Sequence, residues 1–389
     1  MSKSFRPYRE LKNDAAMSIS QSYLARLHSV HTNNHLGLVT ATSPLNRIIA
    51  SSEMPISTLL LCYNDQEVIE KAALSLVAQA TGSTKIYALL HGSTDQSKRI
   101  LESILLKDSI YSTKANIKSY LPATFLNKVV SGDLISVLYS DDEYLPSRNA
   151  IARALFRTKP AIDAIFFSSH FVYPDQTPVP MDQLPLHISA NNSLSQSSSE
   201  TLKTLLTIGN TLHPCAMVIK QNVYRQIGGV DPYSHRIGDL GLFVKLLLGE
   251  FKVYFSPLKM QRITVWPCGR NESALNSSGS NLLQFERYKL YEYLLEEMPS
   301  KALITKCPLL FCSTVAGADL AEYPLRLWLI GEWLMKSHQI ELRLLGYKAF
   351  RSALDQDSSG VVRRYVHNTY NITASQVFDR VDSVYIPSW

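Results

Sequence analysis

Three consecutive carboxylates, Asp141, Asp142 and Glu143, follow a short apolar run in the stretch VLYSDDEYLP. Like charges repel one another, so this cluster raises the free energy of the chain unless a cation lies nearby or water solvates the acids. Carboxylate oxygens are the ligands that hard divalent cations prefer in proteins. A cation site is therefore one explanation of the cluster. The other is a solvated turn that begins a helix near Pro146.

The predicted elements around the acids favour the cation site. The apolar runs ISTLLLCY and TKIYALL predict two buried strands. The segments after them predict helices that begin near Asp65 and at Ser93 or Asp95. A third strand, DLISVLY, ends directly before the acids. Strands that alternate with helices indicate a mostly parallel sheet, and such sheets bind ligands at the carboxyl ends of their strands, where the acids would lie.

The remainder of the chain changes in composition. Residues 174–200 are rich in Pro, Ser, Asn and Gln and predict a long surface loop. KVYFSPLKMQRITVW predicts two short strands, and the chain after about residue 280 is predicted to be mainly helical. Trp328 and Trp333 lie in that helical part, where we expect them to pack in a core rather than to form a membrane-facing stripe.

The overall composition excludes several classes of protein. The chain has 389 residues, 46% of them hydrophobic, so a sizeable folded core is expected and wholesale disorder is not. Its net charge of +6 is too small to indicate nucleic-acid binding, but it suits an anionic ligand or an anionic membrane surface. The five cysteines include no CxxC pair, which argues against a zinc site or a disulfide framework and for a reducing compartment.

The sequence contains no predicted membrane span. No stretch reaches the roughly 18 apolar residues that a spanning helix needs. The first residues, MSKSFRPYRELKNDAAMSIS, lack the apolar core of a signal peptide. We therefore expect a cytoplasmic protein, and peripheral contact with the inner face of the membrane stays open.

Four segments, in this order, resemble the family-two type of inverting glycosyltransferases. They are STLLLCYNDQEVIEKAALSLVAQ, GSTD, SGDLISVLYSDDEYLP and GNTLHPCAMVIKQNVYRQIGGVDPYSHRIGDLGLFVKL, which together cover roughly residues 55–270. The resemblance implies an α/β fold of the nucleotide-sugar-binding GT-A type, with a mostly parallel central sheet and a helical C-terminal region. The predicted parts are a polar N-terminal extension (1–54), a transferase domain (55–275) and the mainly helical C-terminal region (276–389).

The resemblance also implies where a nucleotide-sugar donor would bind. Tyr63 and Asn64 fall in the turn after the first strand, where the family holds the nucleotide base. Asp95 belongs to the GSTD segment, and His91 ends the second strand. The predicted donor-binding residues are Tyr63, Asn64, His91, Asp95, Tyr139 and Asp141.

The same resemblance implies a metal site and a catalytic base. Asp141 falls on the last acid of the family's DxD motif, and Asp142 is its acidic neighbour, so these two would hold Mg²⁺ or Mn²⁺ on the donor diphosphate. Asp239 falls on the acid that deprotonates the acceptor hydroxyl. This chemistry is reasonable in itself, because a cation offsets charge on a leaving diphosphate and a hydroxyl is a poor nucleophile until a base takes its proton.

The sequence departs from the family pattern at the donor site. Tyr139-Ser140-Asp141 stands where Asp-x-Asp is usual, and Leu90-His91 stands where the second strand normally ends in acids. Two functions therefore stay open. The first is a metal-assisted transferase that acts on a glycan, a lipid-linked acceptor or a protein. The second is a catalytically weakened relative that binds glycan or a partner transferase.

Overall fold

The structure is a computed structural model that describes residues 54–81, 83–113, 120–128, 130–184, 197–231, 234, 236–266, 280–311, 319–373 and 376. The predicted N-terminal extension lies outside the described residues, except for Met54. The predicted loop at 174–200 is described only as far as 184 and again from 197. From Met54 onward the chain forms one compact unit.

Eight strands form a single mixed sheet in the described part of the chain. In chain order they are β1 (Ile56–Cys62), β2 (Thr84–His91), β3 (Ile110–Thr113), β4 (Leu134–Tyr139), β5 (Glu143–Tyr144), β6 (Ala164–Val172), β7 (Met217–Lys220) and β8 (Val253–Thr264). Their order across the sheet is β3-β2-β1-β4-β7-β6-β8-β5.

Helices lie between these strands and make up most of the chain after β8. They are α1 (Ile69–Val77), α2 (Ser97–Ile104), α3 (Tyr120–Lys128), α4 (Arg148–Thr158), α5 (Ser198–Thr207), α6 (Gln221–Gln226), α7 (Gly238–Leu248), α8 (Ser280–Tyr293), α9 (Glu297–Lys306), α10 (Tyr323–Met335), α11 (Ile340–Asp355) and α12 (Val361–Tyr370). Short 3₁₀ turns connect some of them, including one at Pro214–Ala216. Within the described residues, no helix is both long and apolar enough to cross a membrane.

The strand directions explain the position of the predicted site. Strands β3, β2, β1 and β4 run parallel to one another, so their carboxyl ends share one edge of the sheet. Strand β7 runs antiparallel to both β4 and β6, while β6 and β8 are parallel. The predicted α/β fold, with a mostly parallel central sheet and a helical C-terminal region, is confirmed.

The sheet is covered on both faces, as its apolar strands require. Adjacent residues of one strand point to opposite faces. Leu59 packs in a core with α7 and the C-terminal helices, whereas Leu60 packs in a second core with α1. The next strand repeats the pattern, since Leu89 belongs to the first core and Leu90 to the second. This double cover fixes the register of β1 and β2 and therefore the place where both strands end.

The C-terminal helices share the larger core with the sheet. Trp328 on α10 is 1% exposed and lies in the same apolar cluster as Leu59 on β1. Its ring centroid is 4.3 Å from that of Phe350 on α11. The expectation that Trp328 packs in a core is confirmed, and full burial of a side chain of this size is worth about 1.5–3 kcal/mol.

Two glycines set the contact between α10 and α11. A Cβ atom built on Gly346 would lie 2.9 Å from the carbonyl oxygen of Gly331. A Cβ atom built on Gly331 would lie 3.0 Å from the carbonyl oxygen of Gly346. The helix backbones therefore touch at this crossing, and neither position has room for a larger residue.

The prediction of two short strands before residue 267 is wrong. The segment KVYFSPLKMQRITVW forms one strand, β8, rather than two short ones. Its pairing with β6 is irregular between Phe167 and Ser169, where the register shifts. The irregular pairing accommodates Pro257 without ending the strand, because a bulge leaves a backbone position that needs no ladder hydrogen bond.

Candidate active site

The turns that follow β1 and β2 bind each other through side chains; we call them the donor turns (residues 63–66 and 91–97). Asn64 has the left-handed φ of 53° that asparagine tolerates better than most residues. Its side-chain oxygen accepts a hydrogen bond from the N–H of Thr94 at 2.8 Å. Its own N–H donates to the hydroxyl of Ser93 at 3.1 Å. Predicted donor residue Asn64 therefore also fixes the shape of these turns.

Two further predicted residues form an aromatic pair at the ends of β1 and β2. The rings of Tyr63 and His91 are stacked, with centroids 5.4 Å apart and planes 18° from parallel. His91 is 9% exposed, so the pair sits in the surface rather than projecting from it. Flat stacked rings of this kind offer a face to a planar ligand such as a nucleobase.

Asp95 is engaged by the backbone. Its carboxylate accepts hydrogen bonds from the N–H of Gln66 at 2.9 Å and from the N–H of Ser97 at 3.0 Å. Helix α2 begins at Ser97, so the second bond satisfies a donor that the helix cannot pair internally. Asp95 therefore has a structural role in the donor turns, whether or not it also binds a donor.

The end of β4 carries the acids; we call residues 139–142 with 213–215 the acidic edge. Asp142 is 2% exposed. One of its carboxylate oxygens accepts a hydrogen bond from the N–H of Thr264 at 2.9 Å, and the other accepts one from the thiol of Cys215 at 3.1 Å. Burial, together with the charge of Asp141, raises the pKa of Asp142 well above its ordinary value.

Asp141 differs from its neighbour because it is only partly buried. Its carboxylate accepts a hydrogen bond from the indole N–H of Trp266 at 2.9 Å, and its backbone carbonyl accepts one from the hydroxyl of Thr264. An accessible carboxylate at the end of a strand fits a ligand of Mg²⁺ or Mn²⁺. Asp142, with both oxygens already hydrogen-bonded, fits better as the support that holds Asp141 in place.

Asp142, His213 and Cys215 also bring together three potential metal ligands, whose ligand atoms all lie within 4.8 Å of one another. Their hydrogen bonds argue against a metal at this point. Burial lowers the pKa of His213 to about 4, so the ring is neutral at pH 7. Its Nδ1 accepts from the N–H of Cys215 at 3.3 Å, which leaves the proton on Nε2 and removes the lone pair that a metal would need.

Asp239 lies in the first turn of α7 and is held in a fixed orientation. One carboxylate oxygen accepts a hydrogen bond from the side-chain amide of Asn210 at 2.7 Å, and the other accepts from the N–H of Leu240 at 2.8 Å. Burial raises the pKa of Asp239 to about 6. A carboxyl group with this pKa can exchange a proton near neutral pH, as a general base must.

Tyr139, the last residue of β4, lies near enough to Asp239 for the charge of that carboxylate to act on it. Burial and the nearby charge of Asp239 raise the pKa of the Tyr139 phenol well above its ordinary value. The Tyr139 ring also packs edge-on against His213, with centroids 5.5 Å apart. The structure therefore brings the predicted base into the same neighbourhood as the acids that follow β4.

The loop before α7 contains two consecutive glycines with positive φ, 81° at Gly228 and 64° at Gly229. A Cβ atom on Gly229 would lie 2.4 Å from the side-chain oxygen of Asn127 and within 3 Å of the Tyr224 ring. Glycine is needed there both for the backbone angle and for space. Few other residues could replace these two glycines without changing the backbone that leads to α7.

Several residues of the site carry no signal that a pattern search would detect. Four residues hydrogen-bond to the predicted acids: Asn210 binds Asp239, Cys215 binds Asp142, Trp266 binds Asp141, and Thr264 binds both Asp142 and Asp141. Asn210 and Cys215 lie in the segment GNTLHPC, which the sequence comparison to the family had already included. Thr264 and Trp266 lie at the end of β8 and just beyond it, where only the three-dimensional pairing of the strands shows their role.

Sequence comparison finds one partial relative. No known family profile matches the chain. Over 101 residues, 24% of the chain, it is 32% identical to a Mycoplasma pneumoniae protein described as an uncharacterized glycosyltransferase MG060 homolog. That match spans 34% of the relative, so the chain covers about a third of the protein it resembles.

The solved structures that resemble this chain have low sequence identity to it. S. aureus TarS 1–349 in complex with UDP-GlcNAc is 16% identical, with a TM-score of 0.49 over 82% of this chain and 93% of that one. The Pyrobaculum calidifontis mannosyltransferase PcManGT, in complex with GDP-Man and Mn²⁺, is 12% identical. Its TM-score is 0.46 over 92% of this chain and 98% of that one. Sequence identities this low assign no role to any residue of this chain and no activity to the chain.

Proposed function

We propose that this chain is a glycosyltransferase of the GT-A type. It would move a sugar from a nucleotide-sugar donor to a hydroxyl group of a glycan, a lipid-linked acceptor or a protein, with inversion. The observation that carries the proposal is Asp239, a carboxyl group with a pKa of about 6, held by Asn210 and close to Tyr139 at the acidic edge. The partial relative described as a glycosyltransferase supports the same class.

Asp239 is the proposed general base. Its carboxylate takes the proton of the acceptor hydroxyl while the acceptor oxygen bonds to the anomeric carbon of the donor sugar. The bond from that carbon to the diphosphate oxygen breaks, and the electron pair leaves with the nucleoside diphosphate. Attack from the side opposite the leaving group inverts the anomeric carbon. The hydrogen bond from Asn210 keeps one carboxylate oxygen in place for this step.

The donor turns and the acidic edge are the proposed donor site. The stacked rings of Tyr63 and His91 would take the nucleobase, and Asp141 would face the diphosphate. Asp141, supported by Asp142, would hold Mg²⁺ or Mn²⁺, whose chemistry is to offset negative charge on the leaving diphosphate. Because one or two carboxylates make a weak cation site, phosphate oxygens and water must complete the coordination.

A second function is favoured by Tyr139, which occupies the position of the first acid of the DxD motif. A partly buried phenol with a raised pKa is uncharged at neutral pH and cannot replace a carboxylate as a cation ligand. With Asp142 already satisfied by Thr264 and Cys215, donor activation would be weak. The chain would then be a transferase-like protein that binds glycan or a partner transferase.

Calorimetry separates the two functions. Uridine, guanosine and thymidine diphosphates are titrated into the protein with and without Mn²⁺, and then into Asp141→Ala. The matched control is Asp108→Ala, which removes an exposed acid that precedes β3 rather than following the carboxyl end of a strand. An active transferase should bind at least one nucleotide more tightly with Mn²⁺, and only Asp141→Ala should abolish the difference.

The other outcomes are equally decisive. Binding that is the same with and without Mn²⁺ would remove the metal from the proposal. No binding of any of the three nucleotides would favour the glycan-binding or partner-binding alternative. Once a donor is found, release of nucleoside diphosphate in the presence of a pool of glycan acceptors tests transfer itself.

The proposed division of labour follows the predicted boundaries. Residues 55–275 would carry donor binding and transfer, and residues 276–389 would support them. The predicted cytoplasmic location, with peripheral membrane contact, stays a prediction. Limited proteolysis tests the division, because a stable fragment from about residue 55 to 380 is expected if the C-terminal helices belong to the catalytic unit.

A further inference from the structure

Glu286, a residue of α8 in the C-terminal region, reaches the start of the helix that carries Asp239. Its side chain is buried, with 4% exposed. One carboxylate oxygen accepts hydrogen bonds from the N–H of Arg236 at 2.9 Å and from the N–H of Ile237 at 3.1 Å. These two residues directly precede α7, and Asp239 is its second residue.

One of these bonds satisfies the N–H of Ile237, a donor that the helix leaves without an internal partner, and the other holds the residue just before it. The first N–H groups of a helix have no carbonyl to pair with, and a nearby side chain usually caps them. Ile237, at the N-cap position of α7, has no side-chain oxygen and makes no side-chain cap. Glu286 supplies the missing acceptor from a distant part of the chain, so the start of α7 depends on the position of α8.

The charge of Glu286 also bears on Asp239. The positive end of the α7 dipole favours an ionised Asp239, which would weaken it as a base. Glu286 places a negative charge at the same helix end and opposes that effect, and it is among the causes that raise the pKa of Asp239. The amide of Asn210 and the N–H of Leu240 also bind Asp239, and the charge of Asp239 acts on the phenol of Tyr139.

We infer that Glu286 is a positioning residue for the reaction: it fixes the start of α7 and keeps Asp239 able to take a proton from the acceptor. This inference rests on the proposed role of Asp239 as the base. It makes the C-terminal region part of the active site, because a residue beyond the predicted boundary at 275 sets the chemistry of a residue before it. Glu286 would contact no substrate and would act only through α7 and Asp239.

The test measures the titration of Asp239 directly. Aspartate carboxyl carbons are labelled with ¹³C, and the Asp239 signal is identified by its absence in Asp239→Asn. Glu286→Gln keeps an oxygen that can accept both N–H groups but removes the charge. Glu292→Gln is the matched control, since it makes the same change on the same helix in a carboxylate that pairs with Lys289 and Lys348 at the surface.

Glu286→Gln should lower the titration midpoint of Asp239, because it removes a like charge, and the shift should be smaller than the one that burial causes. Glu292→Gln should leave the midpoint unchanged. Glu286→Ala should in addition speed hydrogen exchange at the N–H groups of Arg236 and Ile237, because it removes the acceptor. An unchanged midpoint in Glu286→Gln would overturn the inference.

Nucleotide binding, measured on the same samples, keeps this inference apart from the proposed function. If wild-type protein binds no nucleotide while Glu286→Gln still moves the Asp239 midpoint, the proposed function fails and the link between Glu286 and Asp239 stands. If nucleotide binds and the Asp239 midpoint does not move, the proposed function stands and the link between Glu286 and Asp239 fails. With a known donor, Glu286→Gln should lower kcat and shift the acid limb of its pH profile downward, with little change in the KM for the donor.

Discussion

The donor turns and the acidic edge lie at the same edge of the sheet but are built in different ways. In the donor turns, side chains bind backbone N–H groups between segments separated by 29 to 32 residues. At the acidic edge, Asp142 binds Cys215 and Thr264, which are 73 and 122 residues away. The first region takes its shape from two neighbouring turns, whereas the second requires most of the domain to be folded.

The two regions also differ in what they do to acids. Asp95 in the donor turns has a lowered pKa, because hydrogen bonds from Ser97 and Gln66 outweigh burial. Asp142 and Asp239 have raised pKa values, because burial disfavours their charged forms. A raised pKa lowers the stability of the folded protein at neutral pH. The contrast indicates that stability is given up at the acidic edge and at Asp239, and Asp239 is where the proposed reaction needs a proton acceptor.

The largest expected effect comes from removing the base. Asp239→Asn keeps the size of the side chain but cannot take a proton, so transfer should fall by about 10²- to 10⁴-fold. Nucleotide binding should change little, because Asp239 is not one of the predicted donor-binding residues. Rates of nucleoside diphosphate release, with the donor identified by calorimetry, test this, and Asn64→Ala is the comparison that should affect binding instead. Full turnover in Asp239→Asn would mean that another group is the base.

The second prediction tests the long-range hydrogen bonds that build the acidic edge. Asp142→Ala leaves the N–H of Thr264 and the thiol of Cys215 without their acceptor in a buried place. The free energy of unfolding should fall by about 2–4 kcal/mol, the sum of an unsatisfied donor and a small cavity. Asp142→Asn retains an acceptor and should cost about 1 kcal/mol or less. Urea unfolding gives both values, and equal losses would show that the hydrogen bonds do not matter.

A smaller effect is expected in the donor turns. Asn64→Ala places an alanine at a φ of 53° and removes the acceptor for the N–H of Thr94. We expect a loss of about 1–2 kcal/mol in the free energy of unfolding. Asn64→Gly relieves the backbone and loses only the hydrogen bond, so its loss should be smaller. Thermal unfolding of the two variants decides, and a glycine variant as unstable as the alanine variant would contradict the account.

Stability is also expected to depend on pH through Asp239. The pKa of Asp239 is about 6 in the folded protein, against an ordinary value of 3.8, so the folded protein binds this proton more tightly than the unfolded chain. Stability should therefore fall as pH rises from about 4 to 6, and Asp239→Asn should lack this part of the fall. The variant should thus gain stability relative to wild type across that range and hold the gain above pH 6. A constant difference across the range would show that the pKa of Asp239 is not raised.

Part of this arrangement can be predicted from the sequence. Apolar runs at regular spacing predict β1, β2 and β4, and parallel strands place Asn64, His91 and Asp141 at one edge. The burial of Asp142 is not predictable, because three adjacent acids look like a solvated turn until Cys215 and Thr264 are known to lie beside them. Contacts over so many residues leave no periodic pattern in the sequence.

The same limit applies to elements and to support residues. Pro257 reads as a break between two strands, and only the bulged pairing with β6 shows why β8 continues through it. Glu286 lies in a helix whose pattern indicates only that the helix is amphipathic. Its bonds to Arg236 and Ile237 depend on how α8 packs, which local sequence does not determine.

The bond between Glu286 and Arg236 has a consequence for the order in which the protein is made. The two residues are 50 positions apart, so the ribosome has already released the start of α7 when the carboxylate that caps it is still to be synthesised. At about 5–20 residues per second, the delay is roughly 3–10 s. The strands at the donor turns can pair before Glu286 is synthesised. Asp239 can reach its final position only after Glu286 has been synthesised. A nascent chain stalled before Glu286 would therefore hold paired strands β1, β2 and β4 and an unfinished base.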